Sequence, residues 1–205
     1  MKKNRLIIFY FLIGLLILVS LFFDSELVRS ISFLRNYILD NFLMVITFVS
    51  SEILIFFVLT ALFLWRENKR RWILPLWITL GASAFISFVL KIIVKRQRPF
   101  QLGIVNLISE LQETSFAIWN FSFPSFQSML VFSAIPILSE QFPKLKKFWI
   151  AFAILVGFSR IYFGVHFFSD VIIGGLIGYV LGTIIVKIEK ETKFGQKVYQ
   201  KIFRK

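Results

Sequence analysis

Long apolar runs broken by short clusters of Lys and Arg set the pattern of this chain. By length and hydropathy the runs predict six transmembrane helices: Leu6–Phe23, Phe42–Trp65, Trp72–Val94, a shorter one from about Ser125 to Leu138, Phe148 to about Phe163, and about Phe168 to Val186. Between the first two, Leu27, Ile31, Leu34 and Ile38 recur at helical spacing, with Arg29, Arg35 and Asp40 off the stripe. That predicts an amphipathic helix lying on the outer interface. No repeat, Gly/Ser linker or low-complexity tract divides the chain. The expected architecture is a single all-α domain over 1–205, a polytopic membrane bundle with its core at about 42–186 and a basic, headgroup-touching tail at 187–205.

Composition agrees with a membrane setting. Apolar residues make up 58% of the 205, and Phe alone occurs 27 times. The absence of cysteine excludes disulfides and thiolate chemistry. A net charge of +13 would suit nucleic acid, but the cations sit in clusters between apolar runs. Such clusters set orientation and meet anionic lipid, so the expected partner is the bilayer and not nucleic acid. The first run has basic flanks and no small-residue cleavage site after it, which reads as a signal anchor.

Charge also orients the bundle. Seventeen of the 24 Lys and Arg residues fall on one side: Lys2, Lys3 and Arg5, then Arg66 to Arg71, then Lys144 to Lys147, then the tail from Lys187. The positive-inside rule places that side, and both termini, in the cytoplasm. The end of the third span (Lys91–Pro99), the start of the fourth (Pro124-Ser125) and the turn between the last two (Arg160–Asp170) are then expected to converge on the outer face.

These three segments hold the candidate chemistry. The chain has one histidine, His166, with Asp170 four residues on. At that spacing on a helix a carboxylate can hold one ring nitrogen and leave the other to attack or to bind a metal. The pair can equally be a satisfied buried contact. Lys91 and Arg98, nearly two helical turns apart, can be snorkelling anchors or ligands. Ser125 after Pro124 can be a plain helix cap, or can mark backbone N–H groups open to an anion. Taken together with Arg160, these residues suit a phosphate: three cations neutralise it and a histidine attacks in line.

In order, Lys91-(six residues)-Arg98-Pro99, Pro124-Ser125, and Ser159-Arg160-(five residues)-His166-(three residues)-Asp170 resembles the three-part signature of the type 2 phosphatidic acid phosphatases. These belong to a superfamily that includes vanadium-dependent haloperoxidases. The resemblance covers about residues 42–186. It implies that Lys91, Arg98 and Arg160 bind phosphate with Ser125 and the backbone N–H of Phe126, and that Ser159 supports the pocket. It further implies that His166 forms a phosphohistidine, that Asp170 orients it, and that no metal or other cofactor is needed. The implied substrate is a phosphorylated membrane lipid, dephosphorylated at the outer face of the plasma (inner) membrane.

One motif departs from the family. Where the second part usually reads Pro-Ser-Gly-His, this chain has Pro124-Ser125-Phe126-Gln127. The family's histidine there protonates the leaving oxygen, and glutamine has no such proton; a general acid is commonly worth about 10²–10⁴-fold in rate. Three readings follow. The substrate can be a polyprenyl diphosphate, whose leaving phosphate has a pKa of about 6 and needs little help, with Gln127 positioning water. Glu110 or Glu113 can supply the proton. Or the protein binds or transports phosphorylated lipids without turnover. The expected substrate entrance is bordered by the 100–123 loop, through Leu102, Ile104, Leu107, Leu111 and Trp119.

Overall fold

The computed structural model describes residues 14, 20–107 and 120–203. Most of the first expected span, Lys2, Lys3, Arg5, Glu110, Leu111, Glu113 and Trp119 lie outside the described residues. All regular structure among the described residues is helical: α1 (20–32), α2 (Tyr37–Val49), α3 (Glu52–Trp65), α4 (Ile73–Val94), α5 (Phe126–Gln141), α6 (Lys146–Tyr162), α7 (Phe168–Thr192) and α8 (Phe194–Phe203). Short 3₁₀ segments at Glu67–Trp72 and Pro143–Leu145 lead into α4 and α6.

Two expectations need correction. The stripe Leu27, Ile31, Leu34, Ile38 is not one interfacial helix. The chain turns after residue 32, Asn36 caps α2 by accepting from the Leu39 N–H at 3.0 Å, and the stripe is split between α1 and α2. Arg35, at that turn, reaches inward and donates to the Tyr162 carbonyl at 2.9 and 3.1 Å and to the Asn106 carbonyl at 2.6 Å. Nor is Phe42–Trp65 a continuous helix. It bends by 63° at Ser50-Ser51, and Glu52 opens a new helix. Ser50 turns its hydroxyl onto the Thr47 carbonyl at 3.1 Å, local bonding that competes with the helical ladder.

Helix Phe168–Thr192 and the 28-residue stretch Glu67–Val94 are long and apolar enough to cross a membrane, and the bent α2–α3 pair adds a third crossing if taken as one. At 16 and 17 residues, α5 and α6 fall below the roughly 20 that a span uses. The surface fits lipid: Phe57, Trp65, Phe85 and Ile93 are each more than 60% exposed, an arrangement water would penalise. Inside, Leu59, Phe63, Leu76, Val131, Ile137 and Val156 form a core shared by α3, α4, α5 and α6.

The tightest packing joins α5 to α7. Gly174, Gly178 and Gly182, one helical turn apart, face Ser125, Met129 and Ser133 at the same spacing. A Cβ on Gly174 would lie 2.7 Å from the Ser125 carbonyl, and Cβ atoms on Gly178 and Gly182 would strike the carbonyls of Met129 and Ser133. Small residues let the two backbones touch, as in close helix pairs in membranes. The tail helix α8 is also docked: Glu189 accepts from the Gly195 N–H at 2.7 Å, and Arg71 donates to Gln196 at 2.8 Å.

Overpacking this seam has a measurable cost. Gly178→Ala should destabilise the detergent-purified protein by roughly 1–3 kcal/mol, whereas Gly81→Ala, with nothing within 4 Å, should not lower the melting temperature. Equal melting temperatures for the two variants would show that the seam is looser than described.

Candidate active site

Sequence order becomes spatial proximity at one end of the bundle. Helix α4 ends at Val94 because Lys95 takes a left-handed conformation (φ 49°), earlier than the Pro99 stop expected from sequence. Lys91 and Arg98 therefore do not share one helical face, yet both point into the same place. Lys91 is buried and donates to the carbonyl of Phe121. Arg98 donates to the carbonyls of Asn120 at 3.1 Å and Val165 at 2.9 Å. Arg160, in the last turn of α6, is buried, holds Thr47 at a long 3.4 Å, and leaves its Nε without a partner among the described residues.

The sharp exit from α6 sets His166. Gly164 adopts φ +68°, and a Cβ there would strike Val105. The N–H groups of Val165 and His166 both donate to the Arg160 carbonyl at 3.2 Å. His166 thus precedes α7 instead of sharing a helical face with Asp170. Its Nδ1 lies 3.9 Å from the carboxylate, too far for a hydrogen bond, and 2.6 Å from the Ser122 carbonyl. A carbonyl only accepts, so Nδ1 carries the proton and Nε2 keeps its lone pair.

Asp170 acts one step removed. It accepts from Arg96 at 2.7 Å, from the Phe167 N–H at 2.8 Å and from the hydroxyl of Ser122, the residue whose carbonyl holds the histidine. Its own carbonyl accepts the Ser125 N–H at 3.1 Å. Ser125 occupies the N-cap position of α5 but makes no side-chain cap, and pairs with Ser128 at 2.9 Å. Phe126 begins the helix, and Gln127 follows with its Oε1 buried and unpartnered among the described residues. Ser159 donates to the Val156 carbonyl at 2.7 Å and accepts from Thr47 at 3.2 Å, bracing Arg160 from behind.

Arg96, Asp24, Ser122 and Thr47 were not foreseen as site residues. Arg96 spans Asp170 and Asp24 (2.8 Å), stacks 3.9 Å from the Phe167 ring, and donates to Ser169 at 2.7 Å. In the sequence it is one more cation in an interfacial cluster. Its RxRP spacing before Pro99 was the available signal. Ser122 and Thr47 carried none. In the loop expected to border the entrance, Leu102 is half exposed, but Ile104 and Leu107 pack inward against buried clusters. Among the described residues no three His, Cys, Asp or Glu side chains gather as metal ligands.

Charge and burial define the site's chemistry. Burial, then the fields of Arg98, Lys91 and Arg160, push His166 well below its usual 6.5, while the bond to Ser122 opposes the shift. Burial lowers Arg98 to about 10, against the pull of Asp170, so it stays charged at neutral pH. The result is a neutral imidazole with a lone pair on Nε2 beside Lys91, Arg98 and Arg160, an arrangement chemically suited to nucleophilic attack on an anion.

A model described as the PAP2 superfamily matches residues 72–193. An undecaprenyl-diphosphatase of Sulfolobus acidocaldarius is 28% identical over 170 residues, which is 82% of this chain and 79% of that protein. The crystal structure of a transmembrane PAP2 type phosphatidylglycerolphosphate phosphatase from Bacillus subtilis superposes with a TM-score of 0.69 at 23% identity, covering 89% of this chain and 96% of its own. That of Aquifex aeolicus LpxE gives 0.63 at 30% identity, over 80% and 94%.

The low His166 pKa predicts a stability signature. Below about pH 6.5 the unfolded chain's histidine binds a proton that the folded one refuses, so its contribution to stability is lost as pH falls from there toward the folded-state value. His166→Gln removes that loss. The melting temperature of the wild type should fall relative to the variant between about pH 7 and 5, and a difference independent of pH would refute the shift.

Proposed function

We propose a function on one premise: the chain belongs to the PAP2 superfamily. It is a lipid phosphatase that removes the terminal phosphate of polyprenyl diphosphate-type substrates at the outer face of the plasma membrane. The observation that carries this reading is His166, neutral, fixed through Nδ1 by a carbonyl, and surrounded by Lys91, Arg98 and Arg160. Nε2 attacks phosphorus in line, and the three cations take the charge that develops on the phosphoryl oxygens. The N–H of Phe126 at the start of α5 adds a donor, and Ser125 lines the same wall. Asp170 orients His166 through Ser122, and Ser159 backs Arg160. Single-domain architecture, six spans and cytoplasmic termini complete the picture, with α5 and α6 as short spans.

Gln127 selects the substrate class. Without an acid, a leaving alkoxide is a poor group, while a leaving phosphate departs unaided. The relative from Sulfolobus carries a name for a diphosphate substrate. Gln127, whose Oε1 has no partner among the described residues, receives the water that later breaks the phosphohistidine. An apolar cavity of about 270 Å³ among α2, α3, α5 and α6, walled by residues including Val49, Ile55, Val131 and Trp149, is a candidate place for part of the tail. The competing reading is a binder or carrier of phosphorylated lipids, favoured by the same Gln127.

Phosphate release from purified protein in detergent separates the two, with a polyprenyl diphosphate and phosphatidate offered side by side. Release from the diphosphate, abolished in His166→Ala, is the expected result. Gln127→His should raise phosphatidate hydrolysis by about 10²-fold or more. No release from either substrate, with activity appearing only in Gln127→His, would instead identify a binder.

A further inference from the structure

A fourth cation, Arg96, stands two residues before Arg98, but its guanidinium is already engaged. Nη1 donates to Asp170 and to Ser169 at 2.7 Å, Nη2 donates to Asp24 at 2.8 Å, and the group stacks on the Phe167 ring. Both carboxylates are buried, and a buried carboxylate needs a partner, which accounts for a cation between them. It does not account for the rest of Arg96. Its carbonyl accepts the Ser122 N–H at 2.7 Å. Ser122 in turn gives its hydroxyl to Asp170 and holds His166 Nδ1 through its own carbonyl at 2.6 Å. The residue that holds the imidazole is thus gripped twice from Arg96: directly by the main chain, and through Asp170 by the side chain. The oxygens of Asp170 divide accordingly. Oδ1 takes Arg96, while Oδ2 takes Ser122 and the Phe167 N–H. Pinned at Oδ1, the carboxylate is hindered from swinging Oδ2 away from Ser122.

We infer that Arg96, anchored by Asp24, is a positioning residue that holds His166 in line for attack, acting through Asp170 and Ser122 and not on the phosphate. This rests on the phosphatase reading above. Lys91, Arg98 and Arg160 bind the anion, and Arg96 keeps the imidazole aimed at it. Misplacing a reacting group by about 1 Å can cost about 10²-fold in rate. Lysine is a poor substitute here, because an ammonium is a compact point charge whereas the planar guanidinium spans two carboxylates.

The test measures turnover of farnesyl diphosphate by the full chain in detergent, together with competitive inhibition by inorganic phosphate, which reports the cradle alone. Arg96→Gln should lower kcat by about 10²-fold and leave KM and the inhibition constant of phosphate unchanged. Arg96→Lys keeps a charge between the carboxylates and should give an intermediate kcat, again with phosphate inhibition intact. Arg98→Gln, by contrast, should weaken phosphate inhibition. If Arg96→Gln shows no melting transition, the lysine variant decides on the same two readings. Wild-type kcat in a folded Arg96 variant overturns the inference, as does a parallel loss of turnover and of phosphate inhibition. Either result leaves the phosphatase reading intact. A wild type that releases no phosphate overturns the phosphatase reading itself, and this inference with it.

Discussion

A carboxylate without access to water has to be met by donors on every side, and Asp170 is fully buried. Its donors come from stretches far apart in the chain: Arg96 after α4, Ser122 before α5, and the Phe167 N–H at the entrance to α7. Leaving such a charge unpaired costs about 3–5 kcal/mol, so the segments carrying the three motifs are bound to assemble around it. The histidine inherits its position from that assembly: the serine that satisfies the carboxylate through its hydroxyl holds the imidazole through its carbonyl. Arg96 extends the same network to Asp24 in α1, tying the first helix to the site.

Within this frame the electrostatics divide the labour. Three cations close together repel one another and would resist gathering in an apolar bundle. The backbone carbonyls of Asn120, Phe121 and Val165 supply partial negative charge to Lys91 and Arg98, while the Nε of Arg160 has no partner among the described residues. Burial, and then the positive field of Arg98, Lys91 and Arg160, keeps the imidazole neutral. A field of that sign also favours an anion beside the imidazole.

Much of this was legible in the sequence, because burial in lipid demands long apolar runs and the chemistry uses few residue types. The motif residues Lys91, Arg98, Ser125, Arg160, His166 and Asp170 stand out as polar groups bordering apolar stretches, and the structure gathers them. What escaped was set by turns. A histidine four residues before an aspartate reads as a helical pair, but Gly164 lets the chain leave α6 sharply and His166 stays outside α7. The bend after Val49 is written as Ser-Ser-Glu inside an apolar run, where hydropathy averaging hides it. Ser122 contributes its carbonyl as much as its side chain, and backbone groups leave no trace in residue identity.

Backbone pressed against backbone leaves no slack between α5 and α7. With Ser125 at the head of one and Asp170 in the first turn of the other, the cradle cannot breathe along that seam. Any widening of this end of the bundle has to come from the α2–α3 side, where the ladder is already interrupted. The seam and the bend are therefore mechanically distinct: one fixes Ser125 and Asp170 in register, and the other interrupts its own ladder.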